Sequence, residues 1–182
     1  MWAEGAIPEV DLELLGSRIR DIPDHPKPGI VYKDITPLLL DPVAFRMAIG
    51  GLLLQIGDDA IDKVVGIEAR GFILAAPLAY QLGAGFIPAR KAGKLPGNSQ
   101  GVAYELEYGA ETLEIHDGAI APGDRVWIVD DVLATGGTAA ATASLVRGFG
   151  GEVVGLGFLM ALGFLDGAAQ LVDLRHASLL TV

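Results

Sequence analysis

The chain contains no cysteine, so disulfide frameworks and thiolate metal sites are excluded at the outset. Basic residues are scarce: 13 Lys and Arg stand against 23 Asp and Glu, for a formal net charge of −10. A general nucleic-acid surface needs clustered, excess positive charge, so that class of partner is set aside. Long apolar runs are also missing. Phe72–Ala79 is among the longest, is interrupted by Pro77, and falls far short of the roughly 20 residues that span a bilayer. Residues Met1–Val10 lack the basic start and apolar stretch of a signal peptide. The three histidines (His25, His116, His176) are scattered, which gives a histidine metal site or catalytic triad little support. Ser99 lacks the strand-turn-helix elbow of a serine hydrolase. There is no internal repeat and no low-complexity linker. A soluble, cytoplasmic protein with no nucleic-acid or membrane partner is the expectation.

What is present is a globular composition. Apolar residues make up 51% of the 182 positions, enough for one domain, residues 1–182, with a real core. Val10, Leu14, Leu15 and Ile19 have near-helical spacing, which predicts a helix over Val10–Asp21. The proline-rich stretch Ile22–Gly29 cannot be regular. Pro42–Ile56 reads as a helix with Asp41 as N-cap and Pro42 in the first helical position. The pattern then alternates: strand Lys63–Ile67, helix Gly71–Leu82, strand Gly85–Ala89, strand Arg125–Val129, helix Thr138–Phe149, strand Val153–Leu159. Short apolar strands alternating with helices predict an α/β fold, a parallel twisted sheet with helices on both faces. Residues Gly97–His116 break the rhythm with an alternation that predicts an inserted antiparallel hairpin. Asp58, Asp59 and Asp62 read as a solvated loop end.

The chemistry concentrates in Val126–Thr138. An apolar strand delivers Asp130 and Asp131 to its C-terminal end, where open α/β sheets place their ligands. Ala134-Thr-Gly-Gly-Thr138 then opens a helix. Its glycines let backbone wrap a ligand, its N–H groups point outward, and Thr135 and Thr138 add hydroxyls. This pattern suits a phosphate monoester, and the carboxylates suit ribose hydroxyls with Mg²⁺ nearby. The bland alternative is a helix cap flanked by solvated acids. A second phosphate-binding candidate is Arg90-Lys-Ala-Gly-Lys94, which reverses the sign of an acidic chain on a Gly-containing stretch.

Val129–Thr138 resembles the phosphoribosyl-pyrophosphate signature of the type I phosphoribosyltransferases. Three more segments are similar to the adenine-specific branch: Ile22–Leu39, Gly66-Ile-Glu-Ala-Arg-Gly-Phe72, and Arg90–Gly97 with Tyr104-Glu-Leu-Glu-Tyr-Gly109. They run in the family's order from about residue 20 to 165. The resemblance implies the type I phosphoribosyltransferase fold, with a small hood and a flexible β-hairpin loop. It implies transfer of the ribose phosphate of 5-phosphoribosyl-1-pyrophosphate to adenine, giving AMP and pyrophosphate, with Mg²⁺ held mainly by substrate and no direct metal ligands.

It also implies roles. Ala134, Thr135, Gly136, Gly137 and Thr138 would hold the 5-phosphate, and Asp130 and Asp131 the ribose. Glu68, Ala69 and Arg70, with Arg90, Lys91 and Lys94, would meet pyrophosphate, through a strained or cis peptide at Glu68–Ala69. Arg90 would also reach a neighbouring subunit, implying a homodimer. Val31, Tyr32 and Lys33 would bind adenine, Tyr32 by stacking and its neighbours by backbone groups. Tyr32 departs from the family's usual Phe, and its hydroxyl needs a partner. Glu107 would contact the reacting base, with Tyr108 beside it on the loop. The alternatives are a strand-edge packing role for Tyr32 and a surface ion pair for Arg70. The rival functions are a xanthine or hypoxanthine/guanine phosphoribosyltransferase, separated only by residues 31–33, and a ligand-sensing regulator of this fold.

Overall fold

The computed structural model describes residues 10–106 and 109–182. They fall into two compact units, up to Leu54 and from Gln55 onward.

In the first unit α1 is Leu12–Ser17, capped by Asp11, whose carboxylate accepts from the Leu14 N–H at 2.9 Å. The helix is shorter than its apolar spacing predicts. Residues Arg20–Ile22 instead form β1, antiparallel to β2 (Tyr32–Asp34). Opposite charges settle the matter: Arg20 faces and pairs with Asp34, and Lys33 Nζ meets Asp21 at 2.8 Å. The proline-rich connection carries a cis His25–Pro26 bond and turns at Gly29, whose φ is +86°. After α2 (Thr36–Leu40) comes α3 (Pro42–Ile56), with the bounds the sequence predicts. Asp41 caps α3, accepting from the N–H groups of Val43 and Ala44 at 2.9 and 3.2 Å.

The second unit is built on a seven-stranded sheet. Its elements are β3 (Lys63–Ile67), α4 (Gly71–Leu82), β4 (Gly85–Lys91), β5 (Ser99–Leu106), β6 (Gly109–His116), β7 (Arg125–Leu133), α5 (Gly137–Gly148), β8 (Glu152–Ala161) and β9 (His176–Thr181). The strand order is β5-β6-β4-β3-β7-β8-β9. The five strands from β4 to β9 pair in parallel, and the β5–β6 hairpin adds antiparallel to β4. The predicted α/β sheet and inserted hairpin are both present.

From β3 the chain steps outward to β4, and from β7 it steps the opposite way to β8. Right-handed crossovers in opposite directions put α4 and α5 on opposite faces. The gap between β3 and β7 is therefore a topological switch point, and a crevice opens beyond their carboxyl ends. On one face Val65, Ile67, Ile128 and Phe158 join Ala139, Ala143 and Val146 of α5 in the core. On the other, α4 sits so close that a Cβ on Gly66 would lie 2.8 Å from the Ala75 methyl. Trp127, fully buried, fills the space that a side chain at 155 would need.

The differences from the sequence reading are at the ends of strands. β7 continues through Asp130 and Asp131 to Leu133, because β8 keeps pairing with it as far as Ala161. The acids are thus ladder residues, not a turn after the strand. β9 and the 3₁₀ turns Gly163–Leu165 and Gly167–Leu171 were not foreseen. Asp58 and Asp62 are exposed in the loop before β3, as expected, but Asp59 and Asp62 also hold partners. Asp59 pairs with Arg125 and Arg175, and Asp62 accepts from the Arg125 N–H at 2.8 Å. Among the described residues, no helix is long and apolar enough to cross a membrane.

Candidate active site

Two adjoining cavities lie at the switch point. The smaller, about 130 Å³, is lined by Asp130, Val132, Leu133, Ala134, Thr135, Gly136, Thr138 and Ala139. It is formed by the turn from β7 into α5. Gly136 sits at the helix N-cap with φ +83°, a conformation that needs glycine, and no side chain caps the helix there. Its carbonyl accepts the first intrahelical bond, from the Ala140 N–H at 2.9 Å. The amides just inside the helix start have no partner within the helix and form a ready anion site. Gly167, from the second 3₁₀ turn, closes the back. A Cβ on Gly136 would lie 2.2 Å from the Gly167 carbonyl, and one on Gly167 would lie 2.1 Å from the Ala134 carbonyl. The sequence reading missed Gly167, because only the fold brings it to the loop.

The larger cavity, about 360 Å³, shares Asp130, Val132 and Thr138 with the first and adds Glu68, Ala69, Arg70, Lys91, Tyr104, Glu111, Leu113 and Asp131. Of the residues predicted to bind pyrophosphate, Glu68, Ala69, Arg70 and Lys91 are brought together on this wall. Arg90 and Lys94 lie off it. The Glu68–Ala69 peptide is cis. The Glu68 carboxylate accepts from the Lys91 N–H at 2.8 Å and from Arg90 Nη2 at 3.2 Å, and Arg90 Nη1 donates to the Lys94 carbonyl at 3.0 Å. Burial alone would raise the Glu68 carboxyl, but these donors outweigh it and hold the group below its ordinary range.

Asp130 and Asp131 have separate surroundings. Asp131 is buried, and its Oδ2 lies 2.7 Å from Arg70 Nη2 as an ion pair. Asp130 is half-buried and borders both cavities, with its Oδ1 accepting from the Asp131 N–H at 2.9 Å. Desolvation, and then the charge of Asp131, pushes the Asp130 carboxyl well above its ordinary range. Burial also raises Asp131, against the pull of Arg70. The pair therefore shares negative charge reluctantly and gains from a hydroxyl donor or a cation.

The hairpin supplies residues that the sequence reading did not assign. Lys91 Nζ meets Glu111 Oε1 at 2.8 Å, and the Tyr104 hydroxyl donates to Glu111 Oε2 at 3.0 Å. The Lys91–Glu111 hydrogen bond raises the lysine and lowers the carboxyl. Tyr104 is raised, first by burial, with the Thr138 side chain at the start of α5 acting against that rise.

Val31, Tyr32 and Lys33 belong to the first unit. Val31 is exposed, Lys33 pairs with Asp21, and the Tyr32 ring meets His25 edge-on with centroids 5.1 Å apart. Glu107 and Tyr108 lie outside the described residues.

A helix-start anion cradle, an adjacent carboxylate pair and the cations Arg70 and Lys91 meet around one switch point, a set that suits a sugar phosphate. A family model described as the phosphoribosyl transferase domain matches residues 38–176, and the chain belongs to that family. It is 56% identical over 169 residues to an adenine phosphoribosyltransferase of Thermobifida fusca, covering 93% of this chain and 96% of that one. The crystal structure of adenine phosphoribosyltransferase from Rhodothermus marinus, 52% identical, superposes with a TM-score of 0.91 over 94% of this chain and 98% of the other. A Saccharomyces cerevisiae adenine phosphoribosyltransferase, solved with an imino-altritol bisphosphate and adenine, is 38% identical with a TM-score of 0.86, over 92% and 97% of the two chains. Within the family, this chain stands among the adenine phosphoribosyltransferases.

Proposed function

We propose that the chain joins adenine to 5-phosphoribosyl-1-pyrophosphate in the cytoplasm, giving AMP and pyrophosphate. The observation that carries this reading is the pair of adjoining cavities at the switch point, one an amide-lined cradle and the other bearing Arg70 and Lys91. The 5-phosphate would sit on Ala134–Thr138, with charge-assisted hydrogen bonds roughly twice as strong as neutral ones. Asp130 accepts from the ribose hydroxyls, and Asp131 fixes Arg70 toward the pyrophosphate. The amides around Ala69 complete that side, with Arg90 near the end of β4 and Lys94 just after it contributing from beyond the cavity wall.

Catalysis is then positioning and electrostatics. Adenine N9 displaces pyrophosphate at C1 of the ribose with inversion, through a transition state with oxocarbenium character. No enzyme nucleophile is required. As the C1–O bond breaks, Arg70, Lys91 and Lys94 stabilise charge growing on pyrophosphate, while Asp130 favours the cationic sugar. Glu107 is assigned to the purine N7 edge, and Tyr108 to the loop that covers the site. Val31, Tyr32 and Lys33 are assigned to adenine, on the likeness of Ile22–Leu39 to the adenine-specific branch. A backbone carbonyl there accepts from the 6-amino group and leaves a 6-oxo purine unpaired.

The wall of the larger cavity carries four carboxylates (Glu68, Glu111, Asp130, Asp131) against two cations (Arg70, Lys91). A polyanionic substrate must therefore bring countercharge, and an all-oxygen donor set suits Mg²⁺. Among the described residues, no cluster of three potential metal ligands occurs. We assign the ion mainly to the substrate's own oxygens, where it would neutralise the leaving pyrophosphate, with Asp130 and Asp131 the protein carboxylates that would stand beside it.

A homodimer is supported by exposed apolar residues in the second unit. Ile73 and Tyr80 lie two turns apart on α4, 42% and 69% exposed, and Phe86 on β4 is 39% exposed.

A base-panel assay tests the whole reading. Protein, Mg²⁺ and phosphoribosyl pyrophosphate are incubated separately with adenine, hypoxanthine, guanine, xanthine, uracil and orotate, and nucleotide is followed by chromatography. AMP from adenine alone is the expected result. Turnover of another base overturns the assignment of residues 31–33, and no turnover of any base overturns the enzyme.

A further inference from the structure

Glu111 lies on β6, the strand between β4 and β5, and reaches a neighbour on each side. Across β5–β6 it stands directly opposite Tyr104, whose hydroxyl donates to Oε2 at 3.0 Å. Across β4–β6, Lys91 stands opposite Leu113, and Glu111 is two residues from Leu113, on the same face of the strand. From there Oε1 takes the Lys91 ammonium at 2.8 Å. Thr138, at the start of α5, lines the same cavity. A bonded run of side chains, Lys91–Glu111–Tyr104, therefore lines the larger cavity, and Thr138 belongs to both that cavity and the cradle.

The need for such a run follows from Lys91 itself. Its side chain is 52% exposed, on a flexible four-carbon stem, and it stands at the last residue of β4. Left alone, the ammonium would sample many positions, and ordering it would cost entropy each time an anion bound. An ammonium has three donors, so one bond to Glu111 leaves two for a ligand. We infer that Glu111 is a positioning residue: anchored by Tyr104, it holds the Lys91 ammonium over the cavity so that pyrophosphate meets a preset cation. This rests on the reading of Lys91 as a pyrophosphate ligand.

The test is pyrophosphorolysis of AMP, with KM for pyrophosphate measured at saturating AMP for Lys91→Ala, Glu111→Ala, Glu111→Gln and the double Lys91→Ala/Glu111→Ala variant. Loss of a charge-assisted contact to the ligand should raise KM roughly tenfold or more in Lys91→Ala. Glu111→Ala should raise it several-fold, with kcat and KM for AMP within about twofold of the parent. Glu111→Gln keeps an acceptor oxygen and should recover part of the loss. In the Lys91→Ala background, Glu111→Ala should add nothing. A thermal-shift titration with AMP identifies any variant that has lost its fold, in which case Tyr104→Phe, which removes only the anchoring hydroxyl, replaces it and should move KM the same way.

Three outcomes overturn the inference. They are a lower KM in Glu111→Ala, marking Glu111 as a competitor of pyrophosphate; an unchanged KM; and an effect that persists without Lys91. If Lys91→Ala itself leaves KM unchanged, the assignment of Lys91 falls first and the inference falls with it.

Discussion

Arg70 Nη2 lies 2.7 Å from Asp131 Oδ2, and this ion pair ties the segment after β3 to the strand beside it. The carboxylate is buried while the guanidinium is only partly covered, so the anion fixes the cation. Removing one partner of such a pair leaves the other exposed to rearrangement. Asp131→Asn should therefore act through Arg70: KM for pyrophosphate should rise by roughly tenfold, while AMP affinity changes little. Pyrophosphorolysis kinetics with AMP titrated separately checks this, and an equal loss of both affinities would contradict it.

Asp130 borders both cavities. The proposed function gives it the ribose and the charge that develops on it. Asp130→Asn should lower kcat/KM by on the order of 10²–10³, the usual cost of removing one preorganised electrostatic group. Steady-state synthesis of AMP measures it. A change of only a few-fold would remove Asp130 from the site.

Gly136 adopts φ +83°, and a methyl there would meet the Gly167 carbonyl at 2.2 Å. Left-handed backbone alone costs an L-residue about 1–2 kcal/mol, before any clash. Gly136→Ala should thus lose at least about 2 kcal/mol, a fall in Tm of roughly 4–8 °C for a chain of this size. Calorimetry gives the number. Phosphate and AMP should bind more weakly as well, because the methyl forces the cradle open.

Asp34 gives an acid-stability prediction. Hydrogen bonds from the Thr36 side chain and backbone, then from Arg20, bring its carboxyl down from 3.8 to about 2. The folded value is below the unfolded one, so the stabilisation is fully present above about 3.8 and is lost as pH falls through about 2. Asp34→Asn should be less stable than the parent at pH 6, and the gap should narrow as pH falls from about 4 toward 2. Urea unfolding at several pH values checks this; a gap independent of pH would show that charge at Asp34 contributes nothing.

Tyr32 stands for the base side. Stacking of a base on an aromatic ring is worth about 1–3 kcal/mol, so Tyr32→Ala should raise KM for adenine by roughly 10- to 100-fold while KM for phosphoribosyl pyrophosphate stays close to the parent value. Initial-rate measurements with each substrate varied in turn decide it.

Much of this architecture could be read from residues alone, and the reasons differ by element. Lys63–Ile67, Gly71–Leu82 and Pro42–Ile56 have the predicted bounds because local signals mark both ends, such as the Asp41–Pro42 start. The cradle was legible because its parts are consecutive in sequence: strand, acids, glycines, helix. Strand ends were less so, since β7 is prolonged by its partner β8, a tertiary effect with no local signature. The helix predicted up to Asp21 stopped early for a similar reason, the charged pairing of β1 with β2. Glu111 is the instructive omission. It looks like one more acid in an acidic chain, and only the register that sets it opposite Tyr104 and diagonal to Lys91 gives it a role. Gly167 is 31 residues from Gly136 in sequence, and nothing in its own neighbourhood announces the contact.

The packing of Gly167 against Gly136 and the Ala134 carbonyl carries a consequence for selectivity. The back of the cradle is main chain and therefore fixed, while side chains such as Thr135 and Thr138 line the rest of it. No rotamer change can move that back wall, which leaves no room even for a methyl at 136 or 167. The larger cavity is lined mostly by longer side chains, Glu68, Arg70, Lys91 and Glu111 among them. On the proposed reading, selection by size should be sharpest at the 5-phosphate, the end of the substrate farthest from the bond that breaks.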